Sequence, residues 1–387
     1  MSPALSIPML RLARKNLLHD KLKLITAVTG VVFASVLMNL QVGMLSGFAD
    51  TITALVARSP GDLWIMQDGT KNFEMVMGLP EQRHYQALAT EGVEWSSRLI
   101  VDFTAWKTPT GQFEQVVIVG VDPERPVGLP WAMAEGEAAA IWRDGGVVCD
   151  DLERGRLGGG RRLVVGDEVE VHGHRARVVG FSRDVRSFTT TPFVFSSLAS
   201  ARDYAHGLDA RTQVKFVVVG VAPGHDVEAV RARLLERLPE VEVLTKREFM
   251  ARSVAYWLLG TGAGVMAILA AVLGLLVGGA IVGQAIYSQT MEKFREYGTF
   301  KALGGTNGEL AGVILAQSLM TSLLGYGLGL VVSLVAARFA NEGVLLILMP
   351  PGLVAGLGVV TVVMCAAATF GSVLRVVRLE PAIVFKA

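Results

Sequence analysis

Four stretches of this chain carry no charged residue: 24–49, 253–291, 310–337 and 343–374. Each exceeds the roughly 20 residues a helix needs to cross a hydrocarbon layer of about 30 Å. One Arg, Lys or Asp at mid-span would cost about 2.5–3.5 kcal/mol on insertion scales, so four empty windows are a physical signal. Buried helices of a soluble core run about 10–14 residues and keep a polar stripe, which these windows lack. The pattern predicts four transmembrane helices. The first window is too long for the 7–15-residue apolar region of a secretory signal, and no small-residue cleavage site follows closely; it reads as an uncleaved signal-anchor.

The long polar region between the first two windows alternates strand and helix signals. "FEQVVIVGVD" (113–122) and "QVKFVVVGV" (213–221) are β-branched runs bounded by Gly, Pro or Asp, as buried strands are. "GHDVEAVRARLLERL" places Val227, Val230, Leu234 and Leu238 at helical spacing, and "VEVLT" then returns to strand character. Residues 79–122 read helix, strand, hairpin, strand. Two such α/β halves predict one sheet of the ferredoxin-like split type. Between them "VVGDEVEVHGHRARVVGF" alternates about Gly173, a hairpin.

The fold class is therefore a membrane α-helical protein of four transmembrane helices, with a large mixed α/β extracytoplasmic domain between helices 1 and 2. The pattern divides the chain into an amphipathic N-terminal helix on the cytoplasmic face (1–22), a first span (23–50), the outer domain (51–252) and a second span (253–287). A short cytoplasmic helix (288–306), a third span (307–337), an outer loop (338–351), a fourth span (352–374) and a cytoplasmic tail (375–387) follow. The second charge-free window is long enough for a continuous rod projecting past the membrane.

Charge sets the orientation. Arg11, Arg14, Lys15, Lys21 and Lys23 precede the first span, Lys293, Arg295 and Lys301 lie between the second and third, and Arg375, Arg378 and Lys386 follow the fourth. The loop between spans three and four carries Arg338 as its only Lys or Arg. By the positive-inside rule both termini and the segment near residue 295 face the cytoplasm, and 51–252 lies outside.

Of 387 residues 51% are apolar and the formal net charge is +1, so no nucleic-acid partner is expected. The two cysteines, Cys149 and Cys365, fall in different compartments and define no disulfide framework. His172 and His174 flank Gly173 but lack a third ligand at plausible spacing, so they read as exposed turn residues. "GRLGGGRR" (155–162) lacks the phosphate-loop pattern and reads as a flexible loop. Nothing outside the membrane resembles a catalytic site.

Inside the spans Gly260/264, Gly274/278, Gly279/283, Gly325/329 and Gly352/356 stand four apart, spacing that lets helices pack closely within or between subunits. Asn39, Gln41, Gln284 and Gln317 are the few polar residues; interhelical hydrogen bonding is the expected role of Asn39 and Gln41, with contact to substrate the alternative. No ionisable residue marks an ion path.

One charged island, "SQTMEKFREYGTFKALGGTNGEL" (288–310), interrupts the apolar half. Phe294, Tyr297, Phe300 and Leu303 recur at three-residue steps, Gly304 and Gly305 end the pattern, and Thr306 stands three before Glu309 as in a capping box. This predicts a short helix bent away from both spans, showing its aromatics and charges as a docking element.

The island resembles the "E-x-x-R-E-x-G-x-x-[RK]-A-x-G" coupling segment of FtsX-like, macrolide-exporter-type (type VII) ABC permeases. The pattern falls on Glu292, Arg295, Glu296, Gly298, Lys301, Ala302 and Gly304. The basic N-terminal "LARKNLLHDKLKL" and closing "VLRVVRLEPAIVFKA" resemble that family's ends, and the layout of spans fits. "GVVFASVLMNLQVGMLSGF" further resembles the subgroup that exports glycolipids in heterocyst-forming bacteria with a membrane-fusion adaptor.

The resemblance implies a non-catalytic permease of the bacterial cytoplasmic (inner) membrane, binding no cofactor itself. ATP and Mg would belong to a partner ABC ATPase dimer docked at Glu292, Arg295, Glu296, Gly298, Lys301 and Gly304. It further implies a permease homodimer, mechanotransmission to the outer domain, and export of a lipid-like or amphipathic substrate. A periplasmic adaptor and an outer-membrane channel would complete the system. A regulatory transducer acting on a cell-wall hydrolase is the alternative; family members of that kind have smaller outer domains.

Overall fold

A computed structural model describes residues 21–187, 191–206, 212–341 and 346–377. Residues 1–20 of the amphipathic helix expected over 1–22, and most of the tail, lie outside the described residues. The chain divides into two compact units, Phe48–Val265 and the pair of segments Met1–Gly47 and Met266–Ala387.

Helix α1 (Lys21–Arg58) enters the outer unit, followed by β1 (Leu63–Gln67), β2 (Leu79–Pro80), α2 (Gln82–Leu88), β3 (Val93–Lys107), β4 (Phe113–Val121), β5 (Met133–Glu135), β6 (Gly146–Asp150) and α3 (Arg154–Leu157). Next come β7 (Glu168–Val171), β8 (His174–Ser182), β9 (Phe193–Ser197), α4 (Leu198–Tyr204), β10 (Gln213–Val214), β11 (Phe216–Val221), α5 (Val227–Arg237), β12 (Val241–Thr245) and α6 (Lys246–Leu259). One continuous sheet runs in the order β12-β1-β11-β3-β4-β9-β6-β8-β5, with β7 bridging β3 and β8.

Its first four strands, all paired antiparallel, come from two βαβ halves, β1-α2-β3 and β11-α5-β12. Numbered within that unit the order is 4-1-3-2, the ferredoxin-like arrangement expected, although β1 completes the first half and β4, which the sequence placed in it, does not. The strands between β3 and β11 extend the sheet rather than forming a separate body.

Both faces are covered, which explains why the strands read as unbroken β-branched runs. In β4, Val117, Val119 and Val121 enter one core, whereas Val116 and Ile118 enter a second on the opposite face. In β11, Phe216 and Val218 join the first core, and Val217 and Val219 pack beneath Val230 and Leu234 of α5. The last turns of α1 contribute Leu55 and Val56 to the first core. Arg98 of β3 ties the first half to the end of β4: it donates to Asp122 through Nε (2.6 Å) and Nη2 (3.0 Å) and to Glu81 through Nη1 (2.8 Å), and Glu81 also accepts from Arg202 of α4 (2.7 Å).

The glycine-rich stretch at 155–162 is packed, contrary to the flexible loop expected. Trp106 Nε1 donates to Leu157 O (2.9 Å), Leu157 and Leu163 are buried in the second core, and Arg154 stacks on Phe181. Glycine is required here by fit, since a Cβ on Gly158 would lie 1.7 Å from Arg161 O. His172 and His174 are exposed on the β7–β8 turn.

Glu74 sits buried in the segment between β1 and β2. Its Oε1 accepts from Ser187 Oγ (3.0 Å), and its Oε2 has no hydrogen-bond partner among the described residues. Burial pushes this carboxyl from its ordinary 4.5 up to about 7, against the opposing pull of the Ser187 hydroxyl. As pH rises from 4.5 to 7 the unfolded chain releases this proton while the folded chain keeps it, so stability falls across that window and is level above it. The full loss is about 3 kcal/mol. Glu74→Gln is expected to flatten this dependence and to be the more stable form at pH 8. Thermal unfolding of the full chain at pH 5 and pH 8 measures it; an unchanged slope in the variant would contradict the assignment.

In the membrane unit, α7 (Gly262–Glu292), α8 (Phe294–Ala302), α9 (Asn307–Ala340) and α10 (Pro351–Val377) follow. With α1, three of these are long and apolar enough to cross a membrane: Leu24–Arg58, Gly262–Glu292, Asn307–Ala340 and Pro351–Gly371 are the four candidate spans. Their outward faces expose Leu and Val, as lipid-facing helices do, and the inner faces approach at glycines. A Cβ on Gly278 would lie 2.9 Å from Met38 Cγ, one on Gly325 2.6 Å from Val31, and one on Gly329 2.8 Å from Ser35. The described neighbours leave Gly283, Gly352 and Gly356 open. Asn39 Nδ2 donates to Ser333 Oγ (3.3 Å), the interhelical bond expected of it.

The second charge-free window is not one rod. Helix α6 stops at Gly260, Thr261 Oγ1 donates to Trp257 O (2.7 Å), and it accepts from Gly264 N (3.2 Å), capping the start of α7. A Cβ on Gly264 would lie 2.0 Å from Trp257 O. Gly260 and Gly264 thus shape a break between helices rather than a helix–helix contact. The local sequence Gly-Thr-Gly-Ala-Gly is poor helix material, and this outweighs the absence of charge.

Candidate functional site

The island folds from its own local chemistry. Lys293, at φ −96° and ψ 10°, separates the end of α7 from α8. At the other end Gly304 N donates to Lys301 O (3.1 Å) and Gly305 N to Phe300 O (3.1 Å), the paired bonds of a Schellman motif. Gly304 takes the left-handed position at φ +97°. The Phe300 ring lies over Gly305, where a Cβ would meet it at 2.2 Å. Thr306 and Glu309 then form the predicted capping box: Glu309 N donates to Thr306 Oγ1 (3.3 Å) and Thr306 N to Glu309 Oε2 (2.9 Å).

Tyr297 and Phe300 point inward, which corrects the expectation that the aromatics are displayed. Tyr297 is 4% exposed and packs with Leu310 and Ile314 of α9, alongside Met291, Phe300 and Val373. Its Oη donates to Gln317 Oε1 (2.9 Å). Burial, with a smaller contribution from Glu296, pushes this phenol above its usual range, so it stays a donor at neutral pH. The physical reason is competition: a phenol ring at a membrane–water boundary gains more by covering apolar surface than by facing water.

What α8 shows outward is a different set. Glu292, Glu296, Thr299 and Leu303 are exposed, Leu303 at 84%. Glu296, Thr299 and Leu303, spaced by 3 and 4, share one face of α8, and Glu292 ends α7 just before the break at Lys293. Of the other residues matched to the coupling pattern, Gly298 is buried, Lys301 is half-buried and Gly304 is exposed in the turn. The side chain of Arg295 lies outside the described residues. The surface is therefore two carboxylates, a hydroxyl and one apolar tip, held by a buried tyrosine. It has recognition chemistry and no reactive pair. Among the described residues no three His, Cys, Asp or Glu stand together in a way that would hold a metal ion.

Comparison with known families now decides the class. The MacB-like periplasmic core domain matches residues 24–237, more than half the chain, and the FtsX-like permease C-terminal domain matches 268–381, the island included. The chain belongs to the MacB/FtsX-type ABC transporter permeases. This permease is 24% identical over 381 residues to an uncharacterized ABC transporter permease of Mycobacterium tuberculosis, known from two strains, covering 97% of this chain and 99% of the relative. Among solved structures it is similar to the periplasmic region of MacB from Actinobacillus actinomycetemcomitans. That match has a TM-score of 0.37 and 9% identity, covering 49% of this chain and 91% of that one. The extracellular domain of the noncanonic ABC-type transporter YknZ from Gram-positive bacteria gives a TM-score of 0.35 at 10% identity, covering 48% and 98%.

Two features of the permease escaped the sequence reading. Leu303 was read with the aromatics, yet it is the apolar tip of the outward face; helical angle alone separates it from Tyr297. The capping box Thr245–Glu248 that starts α6 carries the same signature as Thr306–Glu309 and would have placed a helix start before the second charge-free window.

Proposed function

We propose that this permease couples ATP hydrolysis in a separate ABC ATPase dimer to movement of its α/β domain, exporting or extracting a lipid-like or amphipathic substrate. The single observation that carries the reading is α8, a short helix with an outward face of Glu296, Thr299 and Leu303, an exposed Glu292 beside it at the end of α7, and an inward Tyr297. The partner binds ATP and Mg; this chain is a non-catalytic subunit. The permease acts as a homodimer in the bacterial inner membrane, with both termini and α8 in the cytoplasm. A periplasmic membrane-fusion adaptor and an outer-membrane channel complete the path, and the heterocyst glycolipid exporters supply the substrate analogy.

Purification with the ATPase encoded beside it, reconstitution in lipid nanodiscs and mass spectrometry of bound lipid test this. A stable complex, permease-dependent stimulation of ATP hydrolysis and a co-purified amphipath are expected. A complex that instead recruits a cell-wall hydrolase and holds no lipid would favour regulation over export. No complex with the ATPase would end both.

A further inference from the structure

We infer that the Tyr297 hydroxyl and the Gln317 side chain form the joint through which α8 moves the third span, so that removing this one bond uncouples the permease without undocking its ATPase. The inference rests on the docking at α8 proposed above. Leu310, Ile314 and Gln317 lie at i, i+4 and i+7 on one face of α9, and the Tyr297 ring covers the first two while its hydroxyl reaches the third. Apolar contacts are non-directional and let two helices slide. A hydrogen bond 2.9 Å long between side chains 4% and 2% exposed has one geometry and is strengthened by low-dielectric surroundings.

The bond also belongs to a chain. Thr321 Oγ1 donates to Gln317 O (3.0 Å), and Gln289 Nε2, in the last turns of α7, donates to Thr321 Oγ1 (3.4 Å). The second span, the short helix and the third span thus meet in one buried polar layer. Gln317 Nε2 is buried with no partner among the described residues. Turning the amide over would only exchange which of its atoms is left alone. Tyr297 is a positioning residue: it faces the spans, away from the exposed docking face.

Tyr297→Phe keeps the ring and deletes only the oxygen. In nanodiscs its affinity for the ATPase subunit is expected to be unchanged, with stimulation of ATP hydrolysis reduced about fivefold, the factor one hydrogen bond supplies. Gln317→Leu should do the same, and the double variant should be no worse than either single one. Hydrogen–deuterium exchange of the permease alone should show faster exchange across 294–303 in Tyr297→Phe. Full stimulation, additive losses or unchanged exchange would each overturn the joint. Glu296→Lys serves as the separate control: if it binds the ATPase normally, the docking reading falls, and the exchange result alone then decides whether the bond holds α8.

Discussion

Glu296→Lys is expected to leave the permease inserted and folded while reducing its affinity for the ATPase at least tenfold and returning ATP hydrolysis to the level of the ATPase alone. Glu296 is exposed on the outward face of α8 and no side chain is bonded to it among the described residues, so the substitution should cost the fold within about 0.5 kcal/mol. At an interface the same reversal places two like charges together. Disrupting a charge pair there costs about 2–5 kcal/mol when the pair is desolvated. The ratio of these two effects is the diagnostic. Arg295→Glu, chosen from the coupling pattern, should behave alike. Co-purification and ATPase rates in nanodiscs give the result, with the thermal midpoint as the fold control. Normal binding with a normal midpoint would remove α8 as the docking element.

Trp64→Ala should be the most damaging change in the outer domain. Trp64 is fully buried in β1, with ring centroids 5.5 Å from Phe216 of β11, 5.5 Å from Phe249 of α6 and 6.2 Å from Phe73. It joins strands from the two βαβ halves to the helix that precedes the second span. Truncating a buried Trp costs about 3–5 kcal/mol, a large part of what a domain has. At about 2–4 °C per kcal/mol for a domain of this size, the midpoint should fall by roughly 6–20 °C. Near-UV circular dichroism of the full chain in detergent follows it. Phe113→Ala, at a side chain 69% exposed, should shift the midpoint little and serves as the control.

Features set by local chemistry were legible in the sequence. Gly304 and Gly305 ended the short helix, Thr306–Glu309 began the third long helix, Gly173 turned a hairpin, and the β-branched runs at 116–119 and 216–219 were strands buried on both faces. The α/β halves at 79–122 and 213–245 were visible because each carries its own alternation of periods, whereas β1, which completes the first half in the fold, was not read. Features set by direction and approach were not legible. Three-residue spacing identified Tyr297, Phe300 and Leu303 as related, but Tyr297 turns toward Gln317 and Leu303 away from it, a choice made by the neighbouring spans. Charge-free length could not show that Gly260 and Thr261 break the second window, because hydropathy is blind to capping. The packing of Gly158 against Arg161 O was hidden for a related reason: a run of glycines looks the same whether it is loose or fitted.

The account depends most on where α8 lies. Thr299→Cys, exposed on its outward face, can be labelled with a membrane-impermeant maleimide, since the native Cys149 and Cys365 are both buried. Labelling in inside-out vesicles but not in intact cells, and protection when the ATPase subunit is added, is the predicted result. Labelling from outside the intact cell would contradict it.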